Sequence, residues 1–415
     1  MEIKVEQPCP QCGGKITLDA THRLLTCPYC GVKSFLQSKG PFRYTLPVGG
    51  SSIGSNESLL YAPFIRFKGN VFLVSDTGIS YRVVDTTQEG FPMPGLPPSL
   101  GLRPQAMNLL RLNNGNRGRF LRLSRKLPVI LEKAARINAL TEKGGKQVYH
   151  RAYIGEDISY IYLPMLREND CLVDAVTDTS LVDCKQTRAF PLKGSKFNSR
   201  WQVNFLATLC PRCGWNLDGE GDCLVLSCRN CDTTWYLGKK GLERIPCKII
   251  PGDSDTRLYL AFWKISAHIP SMKIWSFADF MERTNQPVLT GKLWRERVMS
   301  FWIPAFKLRP KIFLQSARQA TVNQWLLPES QELHTLPNLY PVTLPFNEAR
   351  QALKLVLAAA AVSRKSVFPK LPGADAENIT TQLVYLPFVD RKYDWMQPRT
   401  GIVIAKSILQ LGRHL

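Results

Sequence analysis

The sequence predicts an α+β protein built from two homologous units, each a small metal-stapled module followed by a strand-rich α+β domain. Three observations support this prediction. A pair of Cys-x-x-Cys motifs occurs twice with the same spacing, the residues around the motifs match, and the downstream segments carry strand and helix patterns. The predicted boundaries are 1–40 and 206–240 for the small modules, and 41–205 and 241–415 for the larger domains.

The cysteine motifs predict two tetrahedral metal sites. Cys9-Pro-Gln-Cys12 is followed after fourteen residues by Cys27-Pro-Tyr-Cys30, and an offset of 201 residues leads to a second set with the same spacing. Four thiolates at this spacing can surround one tetrahedral ion. The eight predicted ligands are Cys9, Cys12, Cys27, Cys30, Cys210, Cys213, Cys228 and Cys231.

We expect both ions to be Zn²⁺ with a structural role. Rubredoxin-type iron also uses paired Cys-x-x-Cys motifs, but it separates them by a much longer insert than the ribbon-like spacing found in this chain. Four thiolates leave no open position for water or substrate, which favours a structural role. The alternative, that the tip of a ribbon contacts a partner, stays open on the sequence alone.

The duplication extends beyond the ligands. Leu25 and Leu226 lie at the same place between the two motifs of their sets. Further on, residues 60–67 match 258–265, 102–104 match 308–310, and a Leu-Pro before a helical stretch occurs in both halves. Tyr162-Leu163-Pro164-Met165 finally matches Tyr385-Leu386-Pro387-Phe388. Landmarks in the same order indicate two homologous units.

Secondary structure is mixed within each unit. Residues 71–74, 79–84 and 158–166 are rich in β-branched and aromatic side chains, which predicts strands. The two helical stretches follow proline, a residue that suits a first helical turn. They are predicted over 129–140 and 347–362, and the second carries an apolar stripe that we expect to pack on a sheet.

Composition indicates a folded protein of the cytoplasm. The chain has 415 residues with 44% hydrophobic side chains, and its N-terminus has no secretory pattern. Its longest wholly apolar run, residues 355–362, is far shorter than the ~20 residues of a membrane-spanning helix. Outside the motifs, Cys171, Cys184, Cys223 and Cys247 show no ligand spacing and are predicted to be buried thiols.

The net charge of +21 predicts an anionic partner. Basic side chains concentrate in two segments at matching places, the first without any acid and the second with only Glu296. In the first they are Arg103, Arg111, Arg117, Arg119, Arg122, Arg125 and Lys126. In the second they are Lys292, Arg295, Arg297, Lys307, Arg309, Lys311 and Arg318. The alternative is a solvated face with internal ion pairs.

The sequence contains little evidence for a catalytic site. The five histidines are scattered without ligand spacing, and the only glycine-rich lysine motif, at 144–147, lacks the residues of a phosphate-binding loop. Tyr61, Tyr162, Tyr259 and Tyr385 could stack on nucleic-acid bases, but aromatic side chains on strands are more often core residues. We therefore predict core packing for the tyrosines and no enzymatic activity.

The motifs and their flanks resemble bacterial tandem zinc-ribbon proteins of unassigned role, in which a ribbon like that of general transcription factors leads into strands with Tyr-x-Pro motifs. The resemblance implies a non-enzymatic, partner-binding protein. Our first hypothesis is a cytoplasmic scaffold or adaptor that docks through the basic segments on an acidic protein or an anionic membrane surface. The alternative is a nucleic-acid-binding protein that uses the same segments and the ribbons.

Overall fold

The fold is described from a computed structural model. The described residues are 3–49, 59–125, 129, 131–132, 147–168, 171–182, 194–238, 241–332 and 338–413. Strands dominate and helices are fewer, so the chain is a mixed α/β protein, compatible with the predicted α+β class. No helix within these residues combines the length and the apolar character needed to cross a bilayer.

The chain forms two compact units that are not consecutive in sequence. Unit 1 contains Met1–Lys68, Val84–Ala139 and Asp157–Thr208. Unit 2 contains Gly69–Val83, Leu140–Glu156 and Leu209–Leu415. The division into four consecutive domains made from the sequence therefore stays a prediction.

The N-terminal part of the chain forms a sheet of many short strands and three long ones, β6, β7 and β10, each of which contains residues of both units. Its elements are β1 Lys4–Pro8, β2 Lys15–Asp19, β3 Leu24–Thr26, β4 Lys33–Gln37, β5 Phe42–Thr45, β6 Leu59–Ser75, β7 Gly78–Glu89, α1 Arg103–Ala106, β8 Leu109–Arg111, β9 Arg119–Phe120, β10 Val148–Glu168, β11 Cys171–Asp174, β12 Thr179–Val182, a 3-10 turn at Ser199–Trp201 and β13 Asn204–Ala207. The main sheet has the order β12-β11-β10-β5-β8-β1-β2, with β6 also paired to β10. A separate three-stranded sheet has the order β13-β4-β3.

Unit 2 combines a second set of strands with helices. Its strands are β14 Val225–Cys228, β15 Thr233–Gly238, β16 Gly241–Arg244, β17 Cys247–Ile249, β18 Thr256–His268, β19 Ser300–Pro304, β20 Gln331–Glu332, β21 Glu377–Arg391, β22 Asp394–Met396 and β23 Val403–Ala405. Its helices are α2 Phe277–Arg283, α3 Lys292–Glu296, α4 Pro310–Val322, α5 Phe346–Ala360, α6 Arg364–Val367 and α7 Lys406–Gly412, with 3-10 turns at Pro270–Met272, Gln324–Leu326 and Phe368–Lys370.

The two main sheets share an order of pairing. In unit 2, β21 pairs with β22, β17 and β18, just as β10 pairs with β11, β5 and β6 in unit 1. The strand senses agree, because β17 is parallel to β21 and antiparallel to β20, while β5 is parallel to β10 and antiparallel to β8. The correspondence extends one strand further, because β22 pairs antiparallel with β23 and β11 pairs antiparallel with β12.

Several predicted elements are confirmed. Residues 71–74 lie in β6, 79–84 in β7 and 158–166 in β10. The helix predicted over 347–362 is α5, which starts after Pro345 and buries its apolar stripe of Leu353, Val356 and Leu357. The helix predicted over 129–140 falls largely outside the described residues.

The Tyr-x-Pro elements belong to the core, as predicted. Tyr61, Tyr162 and Tyr385 are buried, and Tyr259 is half-buried. In unit 1, Tyr61 stacks on Phe120 with ring centroids 4.5 Å apart. Buried rings of this kind are not available for stacking on nucleic-acid bases.

Candidate metal centres

The first cysteine set lies on two tight turns. Cys9 follows β1, and its backbone N–H donates to Gly14 while its carbonyl accepts from Gly13, which has a φ of 75°. Cys27 follows β3 and repeats the arrangement with Gly31, whose φ is 73°. Glycine suits both positions because it has no Cβ to oppose a positive φ. Each turn therefore directs its two cysteines toward the same point.

The sulfur positions fit one tetrahedral ion. Sγ atoms are 3.7 Å apart for Cys9 and Cys30, and 3.7 Å apart for Cys12 and Cys27. All four lie within 4.8 Å of one another. A tetrahedral Zn²⁺ with Zn–S bonds of about 2.3 Å requires sulfur atoms about 3.8 Å apart. The donor set of four cysteine sulfurs matches that requirement in chemistry and in spacing.

The second cysteine set has the same construction with one change. Sγ distances are 3.6 Å between Cys210 and Cys231, and 3.5 Å between Cys213 and Cys228. The carbonyl of Cys228 accepts from the backbone N–H of Asp232, which has a φ of 52°. Aspartate here replaces the glycine of the first set, since it is one of the few other residues that adopt this conformation readily.

The local environment favours the thiolate form of some cysteines in each set and disfavours it in others, since the pKa of Cys30 and that of Cys228 are raised to about 12. Burial acts to raise the pKa of Cys9, but backbone N–H groups of Cys12 and Gln11 outweigh it and lower that pKa to about 6. Burial also opposes ionisation of Cys210, while the Thr233 hydroxyl and nearby N–H groups lower its pKa to about 6. A metal ligand must be a thiolate, so these hydrogen bonds favour the form that binds.

The first set is tied into the core of unit 1. Cys9 and Cys27 are buried in a hydrophobic cluster with Val5, Leu25 and other core residues. Its ribbon is completed by β13, which pairs antiparallel to β4 with Ala207 opposite Ser34. This strand is distant in sequence from the predicted ribbon module, residues 1–40, whose boundaries stay a prediction.

The first basic segment does not form one continuous exposed surface. Arg117, Arg119 and Arg122 are exposed. Arg103 pairs with Asp174, and Arg125 pairs with Glu89. Lys126 lies outside the described residues.

Arg111 is the exception in this segment, because it is buried. Its guanidinium lies 4.5 Å from the centre of the Phe42 ring and 5.3 Å from that of Tyr44. Burial lowers its pKa. The aromatic faces supply cation–π attraction, which explains how strand β8 tolerates a charge at this place. A side chain in this position does not present its charge to an external partner.

The second basic segment is more exposed. Lys292, Arg309, Lys311 and Arg318 are exposed, and Arg295 is exposed but paired with Glu282. Two members are half-buried. Lys307 lies near Glu156, and Arg297 donates to the backbone carbonyl of Gln324. The structure thus distributes the thirteen described members of the two basic segments over exposed, paired and buried places.

The remaining cysteines divide into two kinds. Cys223 and Cys247 are buried free thiols, as predicted, and burial raises the pKa of Cys223 to about 12. Cys171 is disulfide-bonded, so the prediction of a thiol there is wrong. Cys184 lies outside the described residues. The cytoplasmic location predicted from thiol chemistry stays a prediction.

Comparison with known proteins assigns no family to the chain. No protein family, no curated protein and no solved structure matches it. The fold and the site therefore define only a class: a strand-rich mixed α/β protein with two tetracysteine groups that could hold metal ions. The resemblance to tandem zinc-ribbon proteins stays a prediction.

Proposed function

We propose that this chain is a non-enzymatic, zinc-stabilised binding protein that docks on an anionic membrane surface. Each tetracysteine group supplies all four ligands of a tetrahedral ion, so the metal would hold structure and not react. The net charge of +21 supports an anionic partner. The observation that carries the choice of a membrane is an exposed apolar segment in unit 2.

This segment, residues 288–298, is called the apolar tip. Leu289 is 96% exposed and Leu293 is 78% exposed, and Val288 is also exposed. The helix α3 within the segment carries Lys292 beside these side chains, together with Arg295, which pairs with Glu282, and the exposed acid Glu296. Apolar side chains that enter the acyl boundary, flanked by cations that meet anionic headgroups, are typical of peripheral membrane binding.

Tryptophan side chains anchor the apolar tip and add to its membrane character. The Trp294 ring is 5.0 Å from Phe277 on α2 and 5.6 Å from Trp325. Trp325 is itself 44% exposed. Tryptophan favours the membrane–water interface because its ring is apolar and its N–H is polar. A tip held by ring contacts loses little conformational freedom on binding.

The test is vesicle co-sedimentation of the zinc-loaded chain. We expect binding to vesicles of phosphatidylserine and phosphatidylcholine, and much weaker binding to phosphatidylcholine alone. Each buried leucine contributes about 1.5–3 kcal/mol, so Leu289→Ser with Leu293→Ser should weaken binding by about a hundredfold or more. Leu102→Ser, at another exposed leucine, is the control. Equal binding by the double variant would refute the proposal.

A second candidate function is binding of single-stranded nucleic acid. It is favoured by the second ribbon, where Trp215 is 59% exposed and Arg212 is exposed nearby in sequence. Bases stack on such a ring while arginine meets phosphate. Trp215→Ala would then abolish the quenching of tryptophan fluorescence by an oligonucleotide, whereas Trp275→Ala would not. Absence of quenching in the unmodified chain excludes this candidate.

We further infer that the two halves of the chain, about 1–200 and 206–415, arose by duplication. The shared pairing order of the sheets supports this, and so does one repeated hydrogen bond. Leu46 donates its backbone N–H to the carbonyl of Tyr162, and Ile250 donates to that of Tyr385. Both tyrosines are landmarks that match in the sequence. The zinc identity of the metals belongs to the same proposal and is tested by metal analysis of the purified chain.

A further inference from the structure

Unit 2 contains a basic cleft separate from both cysteine sets. It has a volume of about 490 Å³, and its walls include Lys248, Lys264, Arg297, Trp302 and Glu329. Lys264 on β18 and Trp302 on β19 are register partners, so their side chains lie on the same face of the sheet. Lys248 comes from β17 and Arg297 follows α3. With the segment that carries Glu329, five separate segments build the cleft.

The three bases lie close enough to repel one another. Burial lowers the pKa of Lys264, and the charges of Arg297 and Lys248 lower it further. Burial also lowers the pKa of Arg297. Lys264 Nζ lies 5.6 Å from the centre of the Trp302 ring, which compensates only part of the cost of holding an ammonium there.

Few acidic side chains offset the positive charge of these three bases. Glu329 is the acid among the lining residues and is exposed, and within the described chain no ion pair joins it to any of the three bases. The buried Nε1 of Trp302 also has no hydrogen-bond acceptor in this part of the protein. The walls carry three positive charges and one negative charge, and Glu332 lies opposite Lys248 in the β17–β20 pair, so the cleft keeps a positive excess that suits an anionic ligand.

We propose that this cleft binds a phosphate monoester through its phosphate group. A phosphate monoester carries nearly two negative charges at neutral pH and offers several strong acceptor oxygens. The Arg297 guanidinium can meet two of these oxygens, and the two lysines act as point charges. The volume of the cleft exceeds that of a phosphate group, so it also accommodates an attached organic group beside the Trp302 ring.

The proposal does not rest on membrane docking. The monoester can come from a soluble molecule or from a lipid headgroup such as that of phosphatidic acid. Both sources share the recognised phosphate, and the experiment separates them. A variant of the apolar tip serves as the control that separates membrane docking from phosphate binding, because Leu289 and Leu293 do not line the cleft.

The experiment measures binding of inorganic phosphate and glycerol 3-phosphate to the full zinc-loaded chain by calorimetry, at constant ionic strength in chloride. We expect saturable binding. Lys264→Met and Lys248→Met should each weaken it by about tenfold or more, because each removes a charge-assisted hydrogen bond. Lys365→Met, at an exposed lysine of α6, is the matched control and should bind normally.

A second measurement guards against a variant that fails for structural reasons. Without phosphate, Lys264→Met should raise Tm, because it relieves repulsion among the three bases. NMR of the Lys264 side chain should show its pKa rising when phosphate is added. No saturable binding, or an equal loss in Lys365→Met, would overturn the proposal.

Vesicles that contain phosphatidic acid then identify the source. If Lys264→Met weakens binding to these vesicles and to inorganic phosphate alike, the ligand is a lipid headgroup. If it weakens only binding of the soluble phosphates, the ligand is a soluble ester. The Leu289→Ser, Leu293→Ser variant should retain phosphate binding, so failure of the membrane proposal is distinguishable from failure of the cleft.

Discussion

The indole N–H of Trp235 donates a hydrogen bond of 3.0 Å to the hydroxyl oxygen of Thr233. That oxygen lies 3.0 Å from Cys231 Sγ and 3.6 Å from Cys210 Sγ. A metal-bound thiolate has no proton and can only accept, so with metal bound the Thr233 hydroxyl would donate to sulfur. The second metal centre thus has an outer hydrogen bond to its thiolates. The offset of 201 residues places Val32 at the corresponding position of the first centre.

The first prediction concerns this hydroxyl. Thr233→Val removes the donor with little change in shape, and we expect zinc affinity of the second centre to fall about tenfold to a hundredfold. Competition with a chromophoric chelator measures it. The first centre is the internal control, since its affinity should not change. An unchanged affinity of the second centre would show that the hydroxyl does not support the metal.

The second prediction concerns metal content. Cys27→Ser should lower the zinc content from two ions per chain to one and reduce Tm by about 5 °C or more, because the ligand also lies in the core of unit 1. Elemental analysis and calorimetry are the measurements. Cys247→Ser replaces a buried thiol outside the sets and should retain both ions. Two ions in the Cys27 variant would contradict the assignment.

The third prediction concerns pH. Glu348 is buried in unit 2, and its carboxylate accepts a 2.9 Å hydrogen bond from the backbone N–H of Glu156. Burial, reinforced by the Glu156 carboxylate, raises the pKa of Glu348 from its ordinary value of 4.5 to about 8. The folded chain then holds a proton that the unfolded chain releases, so stability declines as pH rises from 4.5 to about 8.

Glu348→Gln should remove this decline. The amide oxygen can still accept the hydrogen bond, and no carboxyl remains to ionise. We expect the variant to gain about 4 kcal/mol at pH 8 relative to the unmodified chain, several degrees in Tm, and less at pH 5. Glu377→Gln, at an exposed position, is the control. A pH profile that stays parallel to that of the unmodified chain would argue against a shifted pKa.

The fourth prediction concerns a buried ion pair in unit 1. Arg66 is 1% exposed and donates to both carboxylate oxygens of Asp85, at 2.9 Å and 2.8 Å. Asp85→Ala would leave a buried charge without this partner and should cost about 3–5 kcal/mol of unfolding free energy. Asp375→Ala breaks the pair with Lys354 at a carboxylate that is 82% exposed, and should cost about 1 kcal/mol or less. Similar costs for the two variants would be the contrary result.

Local patterns allowed several elements to be predicted. The spacing of Cys9, Cys12, Cys27 and Cys30 identifies a metal-binding set because two turns of a few residues each determine the geometry. The strand around Val71 and the helix after Pro345 follow from side-chain type and periodicity within a short window. These features depend on near neighbours in the chain, so a window of sequence contains the information.

Long-range contacts could not be predicted in the same way. The pairing of β13 with β4 places Ala207 opposite Ser34, and no local sequence pattern links residues so far apart. The burial of Arg111 over the Phe42 ring could not be predicted either, because arginines that are close together in a sequence are usually exposed. Lys264 was not singled out at all, because its neighbours Lys248 and Arg297 come from other strands and helices.

The sequence by itself determined the two tetracysteine groups, the strand-rich character and the positive charge, because each depends on composition or on spacing within a few turns of chain. Tertiary structure alone decided which basic side chains are exposed, paired or buried. It also decided that Lys248, Lys264 and Arg297 share one cleft. The physical reason is that burial and charge pairing depend on side chains brought together by strand register, which acts over the whole chain.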